Sequence, residues 1–251
     1  MKPIKAMADA MGMDDETWLR HANPWSVWTR FIILPLLALA IWSRAGALMV
    51  IKGYCASVFW LYRVTCGLHV EFRGKVPDGE VLVCSKHMSF MDILMLAYML
   101  PRVKFIMKRE LIWAPVIGLY GWRIGCPPVV RGKKGSAIKE MVKHLEADKD
   151  AGQTTIFPQG TRVLPGSKDA YKIGAGVIYT RMEKTCVPVA TNVGVFWARR
   201  SPIRKPGTAV LEFLEPIPAG MELKEFMTKL ENTIETNSNR LMIEAGYKFE
   251  K

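Results

Sequence analysis

The sequence predicts an α/β fold: a mostly parallel sheet flanked by helices, preceded by an apolar helical hairpin for membrane attachment. Three observations carry this. Short apolar runs such as Val81–Cys84 and Thr154–Phe157 alternate with stretches whose apolar residues recur at helical spacing, the pattern of strands joined by crossover helices. The first quarter of the chain gathers apolar segments punctuated by single basic residues. Polar residues suited to chemistry cluster where the predicted strands stop.

The bulk composition sets the bounds. At 251 residues the chain forms one core domain with an appendage, divided here into 1–64, an arm with membrane-associated helices, and 65–251, the α/β unit. Half of the residues are hydrophobic and the mean hydropathy is +0.09, high for a soluble enzyme and low for a polytopic membrane protein. A net charge of +12 points to nucleic acid, an anionic membrane or a phosphorylated substrate. The 8 tryptophans and 15 methionines favour the membrane, and no nucleic-acid-binding module is recognisable. The 5 cysteines are scattered without a CxxC pair. That spacing argues against a disulfide framework and a zinc site and for a reducing compartment.

Along the chain, Met1 to Glu16 reads as a polar arm. Apolar segments then run from Trp18 to Tyr62, interrupted by Arg30, Arg44, Lys52 and Arg63. Arg30 and Arg44 are separated by roughly 21 Å of helix, short of a hydrocarbon core of about 30 Å. Two short helices dipping into one leaflet fit this best, with Trp18, Trp25, Trp28, Trp42 and Trp60 at headgroup level. True spans and buried soluble helices are the alternatives. The late, long apolar stretch behind an acidic patch does not resemble a secretory signal peptide.

From Leu68 the periodicity changes. Strands are expected at Leu68–Phe72, Val81–Ser85, Val103–Met107, Thr154–Phe157, Val187–Val195 and Thr208–Leu214. Helices are expected at Phe90–Leu100, around Ile138, Met141, Val142 and Leu145, and at Lys172–Met182. A C-terminal amphipathic helix carries Leu223, Phe226, Met227, Leu230 and Ile234.

The stretch Ser85-Lys86-His87-Met88-Ser89-Phe90-Met91-Asp92 organises the rest. His87 and Asp92 would lie roughly 140° apart on one helix and about 16 Å apart on one strand, so they meet only across a bend. A strand ending before His87, Ser89 as N-cap and a helix after it supply that bend. Asp92 then orients His87 as a general base. The competing reading is a capping box, Ser89-x-x-Asp92, in which Asp92 supports the helix start. The two roles are compatible.

Basic residues stand at three other strand ends. Gln159-Gly160-Thr161-Arg162 follows one, Arg131 follows Gly125-Cys126-Pro127-Pro128, and Lys108 follows a third. Ligands bind at the carboxyl ends of strands in such sheets, so a phosphate pocket is coherent; solvated basic turns are the alternative. His21, His69 and His144 read as structural. Gly174 and Gly176 read as packing positions, and Arg199-Arg200 with Arg204-Lys205 as a solvated basic loop.

Taken together, these pieces resemble the glycerolipid acyltransferase family. His87-x4-Asp92 resembles its first motif, Gly125 to Arg131 its second, Gln159-Gly160-Thr161-Arg162 its third and Val187-Pro188-Val189 its fourth. Their order matches, and they span about Leu68 to Leu214. Three positions depart from the pattern. Lys86 replaces a common asparagine, Pro127-Pro128 replaces bulky apolar residues, and Gln159 replaces the usual glutamate.

The resemblance implies a glycerolphosphate acyltransferase-like fold and transfer of a fatty acyl group to the sn-2 hydroxyl of 1-acyl-glycerol-3-phosphate, giving phosphatidic acid. The donor would be acyl-CoA or acyl carrier protein, with no bound cofactor, no metal and no acyl-enzyme. His87 and Asp92 would be catalytic. Arg162, Thr161, Gly160, Gln159, Arg131, Ser89 and Lys108 would bind substrate. The implied partners are an anionic membrane surface, the lysophospholipid and acyl carrier protein, with the chain on the cytoplasmic face of a membrane. Another lysolipid acceptor, such as a lyso-aminolipid, and a degenerate membrane-binding protein are the alternatives.

Overall fold

The computed structural model describes residues 43–114, 117–129, 141–144, 152–167 and 169–249. The chain enters through helix α1 (Arg44–Cys66). Ser43 caps it, its hydroxyl accepting from the Gly46 N–H at 3.0 Å, and Gly67 ends it in the left-handed conformation, φ 64°. One face packs on the core through Ala47 and Cys55, with Leu48, Ile51, Val58 and Phe59 beside them. The other exposes Met49, Tyr54, Trp60, Leu61 and Val64. Its 23 residues are long and apolar enough to cross a membrane. Arg44, read from sequence as a break between two short helices, lies instead in the first turn of one continuous helix. An isolated charge does not interrupt a helix whose backbone bonds are intact. The first arm of the expected hairpin, like Trp18, Trp25, Trp28 and Trp42, lies outside the described residues.

The central sheet has six strands. They are β1 (Leu68–Arg73), β2 (Val81–Ser85), β3 (Val103–Phe105), β6 (Gln153–Ile156), β7 (Cys186–Thr191) and β8 (Gly207–Phe213), in the order β1-β8-β7-β2-β6-β3. Strands β7, β2, β6 and β3 are mutually parallel. Strand β8 runs antiparallel to β7, and β1 is parallel to β8. The mostly parallel sheet expected from the alternating pattern is therefore present, with a reversed pair at one edge.

Two expected strands end early. The run from Val103 splits after Phe105, and β4 (Met107–Lys108) pairs with β5 (Pro128–Val129) in a separate two-stranded sheet. Strand β7 stops at Thr191, where the Thr191 hydroxyl accepts the Val193 N–H at 3.2 Å and turns the chain into the short helix α5 (Val193–Phe196). Asn192 holds that turn from inside, accepting the Val210 N–H at 2.7 Å and donating to the Leu241 carbonyl at 3.2 Å. These side chains saturate backbone groups that a longer strand would have used.

The helices cover both faces of the sheet. Helix α2 (Met91–Met99) is buried between the sheet and α1. Helices α4 (Gly174–Met182) and α6 (Leu223–Glu244) pack on each other, and α6 also packs on β7. Tyr179 of α4 stacks on Phe226 of α6 with centroids 3.7 Å apart. Residues 109–113 form a 3-10 turn leading into helix α3 (Ile117–Arg123), and residues 141–144 are helical. All five cysteines are free thiols. Cys84 and Cys186 lie on the neighbouring strands β2 and β7, diagonal to each other, and burial holds the Cys84 thiol well above its usual range.

Candidate active site

The site is built at the carboxyl ends of β2 and β6. These strands pair with Cys84 opposite Ile156, so the register carried forward sets His87 beside Phe157 to Gln159. His87 emerges from β2 with its backbone held on both sides. Its N–H donates to Gln159 Oε1 at 3.2 Å, and its carbonyl accepts the Val163 N–H at 2.8 Å. The imidazole stacks on Phe157 with centroids 4.0 Å apart, and the Phe105 ring is parallel to that of Phe157 at 6.3 Å. Aromatic packing of this kind restricts the ring to one plane.

Asp92 comes from the first turn of α2 and is fully buried. One oxygen, Oδ2, accepts from His87 Nδ1 at 3.2 Å and from the N–H groups of Met88 and Ser89 at 2.7 Å each. The helix is thus capped by Asp92 reaching back. Ser89 does not act as the expected N-cap; Phe90 occupies that position without a side-chain bond. The Ser89 hydroxyl instead accepts the Met91 N–H at 3.3 Å. Capping and orientation of His87 are therefore one constellation: the bend that lets the carboxylate reach the imidazole is stabilised by that carboxylate.

With the acidic partner at Nδ1, that nitrogen carries the proton and Nε2 keeps a free lone pair, an assignment made from the hydrogen-bond partners. His87 Nε2 makes no hydrogen bond among the described residues, and the side chain is 12% exposed. The arrangement suits removal of a proton from a bound hydroxyl.

The turn after β6 supplies the mouth. Gly160 adopts φ 67°, and a Cβ there would stand 2.7 Å from Lys172 Nζ. A side chain at this position would be strained and would displace the lysine. Lys172 therefore lies across the turn at Gly160, its own N–H donating to the Pro158 carbonyl at 2.9 Å. The Arg162 carbonyl accepts from Arg199 Nη1 at 2.9 Å, while its guanidinium makes no hydrogen bond among the described residues. Lys108 is half-exposed and pairs with Glu110 at 3.2 Å. Arg131 lies outside the described residues.

Behind His87 stands a polar group with no signature in the sequence. Lys86 is fully buried, and its Nζ reaches Glu235 Oε2 on α6 at 2.5 Å. Glu235 Oε1 accepts from Tyr171 Oη at 2.9 Å and from Gln159 Nε2 at 3.4 Å. Burial, and then the neighbouring Glu235 carboxylate, push the Tyr171 phenol well above its usual range. Gln159 is buried, and its amide is engaged by His87 and Glu235. Sequence reasoning passed over Lys172, Phe157, Tyr171 and Glu235. Only the strand-exit position of Phe157 offered a signal.

Comparison with known proteins bears on the family and the fold. An acyltransferase family model matches residues 68–192, about half of the chain, and a family of unknown function matches residues 4–76. The chain is 28% identical over 184 residues to 1-acyl-sn-glycerol-3-phosphate acyltransferase of Pseudomonas aeruginosa, covering 71% of this chain and 69% of that protein. It is 28% identical over 203 residues to the human 1-acyl-sn-glycerol-3-phosphate acyltransferase alpha, covering 78% and 70%. The fold matches the crystal structure of the 1-acyl-sn-glycerophosphate acyltransferase of Thermotoga maritima with a TM-score of 0.64 at 21% identity, over 79% of this chain and 81% of that one.

Proposed function

The chain belongs to the acyltransferase family and is an O-acyltransferase, and on that premise we propose that it acylates the sn-2 hydroxyl of 1-acyl-glycerol-3-phosphate to give phosphatidic acid. The observation that carries the mechanism is the His87–Asp92 pair, with Nδ1 engaged and Nε2 open. Nε2 takes the hydroxyl proton as the oxygen attacks the thioester carbonyl. The new C–O bond forms, the C–S bond breaks, and the thiolate recovers the proton from His87. Asp92 stabilises the imidazolium in between. General-base catalysis of this kind contributes about 10²- to 10⁴-fold.

The substrate phosphate is bound by Arg162, whose guanidinium makes no hydrogen bond among the described residues, and by Lys172, which lies across Gly160 of the same turn; Arg131 joins them on the strength of the motif alone. The acyl donor is an acyl thioester of CoA or of acyl carrier protein, whose acidity suits a chain of net charge +12. The exposed apolar face of α1 and the lipid-synthesising relatives support attachment to a membrane. Five free cysteines favour its cytoplasmic face, where anionic lipid attracts a basic protein.

The deciding measurement is acyl transfer to a panel of lysolipids with CoA and carrier-protein donors. His87→Ala is expected to abolish transfer to lysophosphatidic acid while the thermal transition and vesicle binding persist. Full activity in that variant overturns the mechanism, and preference for a lyso-aminolipid overturns the acceptor.

A further inference from the structure

The structure assigns Glu235, on the C-terminal helix, as a positioning residue for the base His87, acting through Gln159. The inference rests on the acyl-transfer reading above for its kinetic arm. Glu235 fixes the direction of one short chain of hydrogen bonds that ends at the His87 N–H.

Lys86 immediately precedes His87 and points its ammonium into the protein, fully buried. An ammonium in that setting without a counter-charge would cost several kcal/mol. Glu235 supplies the charge at 2.5 Å. The second oxygen of the same carboxylate takes Tyr171 Oη and Gln159 Nε2. A carboxylate accepts only, so the side of the Gln159 amide facing Glu235 must be its NH2. The amide oxygen is thereby turned to the His87 N–H, which it accepts at 3.2 Å. Reversing the amide would set its oxygen against Glu235 and its NH2 against the His87 N–H, two acceptors together and two donors together. The acceptor on α6 therefore selects the amide orientation, and the amide holds the backbone from which the imidazole projects.

Two of the three departures from the family pattern, Lys86 and Gln159, fit this as a pair. A glutamate at position 159 would set a second carboxylate against Glu235 and offer no N–H to it. With Lys86 in place of an asparagine and Gln159 in place of a glutamate, the carboxylate that meets both residues is Glu235, 76 positions beyond Gln159. The reacting group is not touched, so the expected consequence is a misplaced base rather than a lost one. Misplacement by about 1 Å costs on the order of 10²-fold in turnover.

The test compares two charge-neutral double variants. Lys86→Met with Glu235→Leu removes both charges and leaves Gln159 Nε2 without an acceptor. Lys86→Met with Glu235→Gln removes both charges and restores an acceptor. Thermal transitions establish that each is folded, and Gln159→Met, which leaves the Lys86–Glu235 pair intact, serves the same comparison should the first fail to fold. The expected result is a fall of about 10²-fold in kcat for the leucine variant with the acceptor KM unchanged, and recovery of most of that loss in the glutamine variant. Equal kcat in the two folded variants, or parent-like kcat in Gln159→Met, overturns the inference and leaves the network purely structural. Selective 15N-histidine labelling gives a readout independent of any substrate. The His87 amide resonance is expected to move in the leucine variant and to return towards the parent position in the glutamine variant. An unmoved resonance overturns the inference, whereas absent turnover in the parent protein would overturn only the acceptor assignment.

Discussion

Helices α1 and α6 have nearly the same length, 23 and 22 residues, and present opposite characters to their surroundings. Helix α6 buries Phe226, Leu230, Ile234, Leu241 and Met242 against the sheet and turns Lys224, Lys229 and Arg240 to water. Helix α1 also packs one face on the core, yet its outer face shows Trp60 at 65% and Met49 at 64% exposure. A surface so apolar is poorly matched to water and well matched to acyl chains. The comparison teaches that amphipathicity alone does not say what a helix faces. One helix here ties the fold together and reaches the back of the site, and the other leaves an apolar face exposed on the far side of its own core contacts.

The sharpest way to break this contrast is to truncate α6 where it packs. Phe226→Ala removes a fully buried ring stacked on Tyr179 and is expected to lower unfolding free energy by about 3–5 kcal/mol, read from urea midpoints. Loss of a comparable amount from α1 would erase the distinction. The double variant Trp60→Ser, Leu61→Ser is expected to leave that midpoint nearly in place, while partition to anionic vesicles falls by about tenfold or more.

The join between α1 and the sheet is more delicate. Gly67→Ala puts a Cβ into the left-handed cap, at an expected cost of about 1–2 kcal/mol in thermal unfolding. The smallest effect belongs to the surface of α6. Glu244 lies between Arg73 and Arg240, each 2.7 Å away, and their hydrogen bonds hold its carboxyl below the ordinary 4.5. A depressed folded-state value means the unfolded state binds the proton more readily. The stabilisation is therefore present above pH 4.5 and lost as pH falls through the depressed value. Because the pair is exposed, Glu244→Gln is expected to change stability at pH 7 by less than about 1 kcal/mol and to flatten the decline on the acid side.

Much of the fold was readable along the chain. Strands β1, β2, β6 and β8 fall within a residue or two of their expected bounds, because apolar runs and turn residues are local signals. The failures share a cause. The split after Phe105, the early end of β7 at Thr191 and the replacement of Ser89 by Asp92 as the cap each depend on a hydrogen-bond partner. Phe105 donates to Cys126 Sγ, Asn192 ties to Val210 and Leu241, and Asp92 folds back on Met88 and Ser89. Periodicity does not encode such partners.

The sequence by itself determined the α/β alternation, the pairing of His87 with Asp92 and the glycine at 160, because each rests on residues within a few positions of one another or on a motif met in order. Only the tertiary structure decided what stands behind and beside them. Lys172 crosses Gly160, Phe157 stacks on the imidazole, and Glu235 meets Lys86 across 149 positions of chain. Contacts of that kind follow from how helices pack on the sheet, which fixes distances between side chains that share no local pattern.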